Sequence, residues 1–179
     1  MTTGHVYIAT SLDGFVAWAD HTLDWLNDFD TQGEDMGYDA FVETIDVTVM
    51  GRGSFQTVHG FGTDWPCKKP VVVMSRTLNE KDVPEAIKEH VRVSALSPAD
   101  VMAELAQNGK KRAYIDGGRL VQSFVRAGLV EDFIVTTVPV FLGDGLRLFG
   151  PVDSDIHLEL VDVKSFKCGM VQAHHKVRG

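Results

Sequence analysis

Asp46-Val47-Thr48-Val49-Met50-Gly51-Arg52-Gly53-Ser54-Phe55 runs from a short apolar, β-branched stretch into glycines and then into a helical pattern. The nearly continuous apolar run at 46–50 suits a strand buried on both faces. The glycines hand the chain to a helix whose first amide groups have no partner within the helix and face the loop. Such a junction attracts anions, because open N–H groups and the positive end of the helix dipole act together. Arg52 adds a planar cationic donor suited to a phosphate oxygen. Taken alone, the same stretch also suits a tight turn that needs glycine only for its backbone angles.

Similar runs punctuate the rest of the chain. Residues 5–10 (HVYIAT) read as a first strand, ended by the turn dipeptide Asp13-Gly14. Residues 71–75 (VVVMS), 91–94 and 113–116 are further strand candidates. Helical patterns lie between them at 34–44, 54–59, 98–108 and 118–127. Ser97 is placed to cap the third, with Pro98 at its first position and Asn108-Gly109 as its stop. In the fourth, Leu120, Phe124 and Val125 share a face and Gly128 ends it. After this point 132–140, 156–164 and 170–177 read as three strands with turns but no helix between them. Strands alternating with helices, then a strand-rich tail, predict an α/β fold with a mostly parallel sheet and an antiparallel C-terminal edge.

The chain has 179 residues, 44% of them hydrophobic and 23% charged, without repeat or linker, which fits a single domain spanning 1–179. Its net charge of −8 and pI near 5.3 disfavour nucleic acid as a partner. Charges or glycines interrupt every apolar run before it reaches membrane-spanning length. The opening Met1-Thr2-Thr3-Gly4-His5 has no basic and apolar signal pattern, so a cytoplasmic location is expected. Cys67 and Cys168 show no C-x-x-C spacing and read as reduced structural thiols.

Two more strand ends carry phosphate-type chemistry. Ser75-Arg76-Thr77 follows the apolar run at 71–74, and a hydroxyl beside a guanidinium there suits a ribose 2′-phosphate. Asp116-Gly117-Gly118-Arg119-Leu120 is another strand-to-helix junction, where adjacent glycines allow close approach of a pyrophosphate. It is not the G-x-G-x-x-G fingerprint and it comes late in the chain. Each junction alone also fits an ordinary turn. All three together would gather at the carboxyl ends of the strands, where open α/β sheets bind ligands.

The ordered blocks Ala9-Thr10-Ser11-Leu12-Asp13-Gly14, Met50-Gly51-Arg52, Val73-Met74-Ser75-Arg76 and Asp116-Gly117-Gly118-Arg119-Leu120 resemble the dihydrofolate reductase-like superfamily. Gly128-Leu129-Val130-Glu131-Asp132 and Phe141-Leu142-Gly143-Asp144-Gly145 look like the reductase domain of the bifunctional riboflavin-biosynthesis deaminase-reductase. The resemblance implies an eight-stranded mixed sheet flanked by helices, with NADPH across the strand ends, and a homodimer. By matched position it assigns Gly51, Arg52, Gly53 and Ser54 to cofactor phosphates, and Ser75 and Arg76 to the 2′-phosphate. Gly117, Gly118, Arg119 and Leu120 would line the pyrophosphate and nicotinamide side. Ala9 would meet the nicotinamide amide through its backbone, and Asp13-Gly14 would begin the loop over that ring.

The sequence departs from these relatives in several places. Asp116 stands where the family often has a third glycine, bringing a carboxylate close to the phosphates. The buried acid of dihydrofolate reductases would fall near Asp35 or Asp39, both candidate catalytic acids, and a surface carboxylate at a helix start is the alternative for either. The folate-tail arginine would fall near Lys68, which is not its equivalent at a carboxylate site. Pro66-Cys67 continues as Lys68-Lys69, so the zinc deaminase motif is absent. His174-His175 reads as a solvated pair on opposite faces of a strand, with no metal expected. The acidic stretch 20–39 reads as a mobile loop leading into the first helix, and Trp18 just before it and Trp25 within it either wall the substrate pocket or pack. The expected function is an NADPH-dependent oxidoreductase, reducing a C=N or C=O carbon of a small heterocycle. It resembles 5-amino-6-(5-phosphoribosylamino)uracil reductase; the rivals are a dihydrofolate reductase and an inactive NADPH-binding protein.

Overall fold

The computed structural model describes residues 1–62 and 65–179. In chain order its first half contains β1 (Thr3–Ser11), β2 (Phe15–Ala17), α1 (Asp24–Asn27), α2 (Tyr38–Glu43), β3 (Val47–Gly51), α3 (Arg52–His59) and β4 (Val71–Met74). Then follow β5 (Val91–Ser94), α4 (Pro98–Gln107), β6 (Arg112–Asp116), α5 (Gly118–Arg126), β7 (Val130–Val138), β8 (Leu146–Arg147), β9 (Leu158–Ser165) and β10 (Val171–Val177). Eight strands form one sheet in the order β5-β4-β3-β6-β1-β7-β10-β9. Neighbours are parallel from β5 to β7, and β10 runs antiparallel to both β7 and β9. This is the mixed, mostly parallel α/β sheet with an antiparallel C-terminal edge that the pattern predicts.

Alternation along the buried strands sets the layers. Val47, Val49 and Val72 pack against Val101 and Leu105 of α4 and Val121 and Phe124 of α5. Met50, Val71 and Val73 turn the other way, onto Phe55 of α3. On that same face, Phe41 and Val42 of α2 close over Tyr114 of β6. The helices therefore cover both faces, and the carboxyl ends of β1, β3, β4 and β6 are left to build a site.

Local chemistry explains where the elements depart from expectation. The helix expected at 34–44 begins only at Tyr38, because Gly33 and Gly37 take positive φ and Asp35 Oδ1 accepts the Gly37 N–H at 2.8 Å. α3 begins at Arg52, two residues before the expected start, so Gly53 lies inside its first turn. β2 and β8 pair as a separate small ribbon that is too short to carry a periodic signal. His174 and His175 are both half-buried, and His174 Nε2 lies 3.7 Å from Asp132 Oδ2, so the pair is not fully solvated. A register shift falls between them in the pairing with β9.

The outer edge carries apolar side chains in solvent. Leu158, Leu160 and Val163 oppose Val177, His175 and Ala173 in the pairing with β10 and are 39%, 56% and 54% exposed. The whole chain exposes 10,212 Å², against ~8,600 Å² for a typical monomer of this mass. Among the described residues no helix is long and apolar enough to cross a membrane. No group of three His, Cys, Asp or Glu among them is placed to hold a metal. Cys67 and Cys168 are free thiols.

Candidate functional site

β1 and β6 pair only through Thr3, Gly4 and His5, the last opposite Tyr114. Beyond that point β1 stays with β7 and β6 stays with β3, so the two strands part. A cleft of about 690 Å³ lies over this opening, with Tyr7, Ile8 and Ala9 on one side and Tyr114 and Asp116 on the other. That volume is within the range of small-molecule sites.

One end of the cleft is built from two helix starts. Gly51, Arg52, Gly53 and Ser54 border it from α3; Gly117, Gly118, Arg119 and Leu120 border it from α5. Neither helix has a side-chain cap, so the first-turn amides of both are left for water or a ligand. The two glycines at the start of α5 are fixed by packing. Gly117 has φ +99°, and a Cβ there would sit 2.4 Å from Ser54 Oγ. A Cβ on Gly118 would sit 2.6 Å from the Arg147 carbonyl oxygen in β8. The double glycine thus seats α5 on its neighbours as well as leaving its amides accessible.

The 75–77 turn flanks this end without lining the cleft. Arg52 Nη1 donates to Thr77 Oγ1 at 2.8 Å and ties the turn to α3. Ser75 Oγ accepts from the Thr77 and Leu78 N–H groups, so its hydroxyl oxygen holds the local turn. Arg76 is exposed and has no hydrogen bond or ion pair among the described residues. Asp13 and Gly14 also lie outside the lining. Asp13 is partly desolvated, which raises its pKa, but hydrogen bonds from Ser11, Gly143 and Leu142 outweigh this and hold its carboxyl down at about 2. It staples the turn after β1 to the segment after β7.

The other end is aromatic and polar. Tyr7, Tyr38 and Tyr114 surround it, with ring centroids 5.6 Å apart for Tyr7–Tyr38 and 6.4 Å for Tyr38–Tyr114. Gln172 Nε2 lies within hydrogen-bond reach of Thr136 Oγ1, the Met36 carbonyl and Tyr7 Oη, bracing the floor. Burial raises the Tyr38 phenol to about 12 and pushes Tyr114 well above its ordinary value. Tyr114 Oη donates to the Tyr7 carbonyl at 2.9 Å and lies 3.2 Å from Asp116 Oδ1. Burial pushes the Asp116 carboxyl upward, although hydrogen bonds from Tyr114, Ser54 and the Gly117 backbone pull it down.

Asp35 and Asp39 are not brought into this cleft. Both are exposed; Asp35 closes its own turn, and Asp39 pairs with Lys68 at 2.8 Å on the surface. The late start of α2 is the cause: its buried Phe41 and Val42 meet the sheet while Asp39 faces water. Of the acidic stretch, Leu23 and Leu26 line the cleft, whereas Trp18 and Trp25 do not. Tyr7, Tyr114 and Thr136 become site residues only through strand register, which no local motif announces.

Residues 3–172 match the RibD C-terminal domain family. YwjB of Bacillus subtilis, itself uncharacterized, is 32% identical over 176 residues, covering 97% of this chain and 96% of its own. A putative riboflavin biosynthesis protein from Shewanella sp. PV-4 is 32% identical and superposes with a TM-score of 0.92, over 99% of this chain and 100% of that one. The fold also matches the Thermotoga maritima diaminohydroxyphosphoribosylaminopyrimidine deaminase/5-amino-6-(5-phosphoribosylamino)uracil reductase. That match has a TM-score of 0.73 at 16% identity and covers 99% of this chain and 57% of that one. With its sheet, its paired helix starts and this match over nearly its whole length, the chain belongs to the RibD C-terminal domain family.

Proposed function

We propose that this chain is an NADPH-dependent reductase of a small heterocycle, in the manner of 5-amino-6-(5-phosphoribosylamino)uracil reductase. The observation that carries the reading is the meeting of two uncapped helix starts, with Arg52 and Arg119, across one cleft that also holds a half-buried, desolvated carboxyl, Asp116. Open first-turn amides beside guanidinium groups fit a pyrophosphate. Gly51 to Ser54 and Gly117 to Leu120 would hold it, and Ser75 with the unpaired Arg76 would take the 2′-phosphate. Ala9, on the cleft side of β1, would orient the nicotinamide amide through its backbone, and Asp13-Gly14 would brace the turn beneath. NADPH supplies a hydride to an electrophilic C=N or C=O carbon.

The receiving nitrogen or oxygen also needs a proton, and Asp116 is the group we assign to hold it. The Tyr114 phenol has one proton, and the Tyr7 carbonyl, which can only accept, takes it at 2.9 Å. A proton on the carboxyl would complete the 3.2 Å contact between Tyr114 Oη and Asp116 Oδ1 whenever the phenol donates to the Tyr7 carbonyl. Burial favours that neutral form. Asp35 and Asp39, out in solvent, lack such an environment.

Family membership also suggests a homodimer. The exposed Leu158, Leu160 and Val163 face of β9, with the surface excess noted above, is where a second copy would pack; a monomer in sedimentation velocity would count against it. For the cofactor, the Arg76→Ala variant is expected to bind NADPH at least about tenfold more weakly and NADH nearly unchanged, since only NADPH carries the 2′-phosphate. Fluorescence titration measures both, and an equal loss for the two cofactors would defeat the clamp.

A further inference from the structure

Charge is unevenly spread around the cleft. Residues 1–51 contain no lysine or arginine, and residues 20–39 carry seven Asp and Glu side chains. That acidic segment is a wall of the cleft, through Leu23, Leu26, Thr31, Met36 and Tyr38. It is also anchored: the Glu34 carboxylate accepts the backbone N–H groups of Lys167 and Cys168 at 3.0 and 2.9 Å. Among the described lining residues, the only Arg side chains are Arg52 and Arg119, at the helix starts assigned to the cofactor, and none is Lys. At the aromatic end the lining is Tyr7, Tyr38, Tyr114, Thr136 and Met170, with Asp116 the one carboxyl. Lys68 is paired with Asp39 on the surface.

We infer that the substrate of this cleft is a planar, non-phosphorylated ring, neutral or cationic, held among the tyrosines. The inference rests on the NADPH-dependent reductase reading and departs from the phosphorylated substrate that 5-amino-6-(5-phosphoribosylamino)uracil reductase takes. Tyr38 is 46% exposed and stands edge-on to both Tyr7 and Tyr114, which leaves aromatic surface for a flat ring. A phosphate ester carries close to two negative charges at neutral pH. In this cleft it would enter past an acidic wall, on a chain of net charge −8, and find no Lys or Arg among the described lining residues of that end. The cofactor, although polyanionic, would meet its charge at the two helix starts, beside Arg52 and Arg119. With no Lys or Arg among the described residues beside the tyrosines, the carboxylate tail of a folate is disfavoured as well.

Fluorescence titration of the NADPH-loaded protein with neopterin and with neopterin phosphate tests this directly. Neopterin is expected to bind at least about tenfold more tightly at low ionic strength, with the gap shrinking in about 0.5 M salt as the wall is screened. An Asp28→Lys/Asp30→Lys variant is expected to shrink the gap in the same direction. Equal or tighter binding of the phosphate, or a gap indifferent to both salt and charge reversal, overturns the charge assignment. Binding of neither compound overturns the planar-ring assignment. Failure of NADPH to bind in the loading step would instead remove the cofactor reading, and the same pair titrated into the unloaded protein still reads the charge preference.

Discussion

Asp116→Asn is expected to lower kcat by about 10²–10⁴-fold, the usual worth of a positioned general acid, with NADPH affinity changed little. Asparagine keeps the shape and can still donate from its amide, but it has no proton to release. The pH dependence separates this role from a structural one. In the wild type the protonated carboxyl is the active form, so the rate falls as pH rises through a pKa that burial has raised. The variant loses that descending limb. Stability moves as well, and its sign is fixed by linkage. A carboxyl whose pKa is higher in the folded than in the unfolded chain contributes stability that is fully present below the unfolded value. That contribution is lost as pH rises through the folded value. The variant lacks the contribution, so its stability relative to wild type should improve as pH rises from the ordinary carboxylate range through the raised folded value, as read in denaturant titrations. A full-rate variant with the same pH profile would remove Asp116 from the chemistry.

Gly118→Ala is expected to cost about 1–3 kcal/mol, lowering Tm by several degrees in a chain of this size. The added methyl would meet the Arg147 carbonyl at 2.6 Å and Val16 Cγ2 at 3.1 Å. The carbonyl belongs to backbone paired in the β2–β8 ribbon, so it cannot swing away as a flexible side-chain tip would. Relief must come from moving the start of α5, which is also the surface offered to the pyrophosphate. NADPH affinity should therefore fall together with Tm. An unchanged Tm by calorimetry would show that the packing at this junction is looser than the distances imply. Gly14 gives the contrast: it has positive φ, +84°, which Gly118 does not, but nothing lies within 4 Å of its would-be Cβ. Alanine there meets backbone strain alone.

Much of the framework is legible along the chain because its signals are local. Ser97 accepts the Asp100 N–H at 3.2 Å and Pro98 opens α4, as the cap pattern predicts. The β-branched runs at 47–50 and 71–74 are strands buried on both faces; the glycine end of the first borders the cleft, and the hydroxyl end of the second flanks it. What stays hidden depends on partners distant in sequence. The Tyr7 carbonyl and the Tyr114 hydroxyl meet only because β1 and β6 stop pairing after His5. Asp116 stands out in sequence only as a departure from glycine, and the upward push on its carboxyl follows from desolvation that no motif encodes. Asp35 and Asp39 depend on the phase and start of one helix, which two left-handed glycines shift by four residues. Ser75 has the right chemistry for a phosphate, yet its hydroxyl oxygen is already engaged by the turn it opens.

The central claim is that NADPH lies across the strand ends with its nicotinamide beside Asp116. A crystal structure of the protein with NADPH tests it most directly. The pyrophosphate is expected against Gly51 to Ser54 and Gly117 to Leu120, the 2′-phosphate at Ser75 and Arg76, and the nicotinamide over Ala9 facing the Asp116 carboxyl. A cofactor bound away from the β1–β6 opening, or no binding at saturating NADPH, would contradict it.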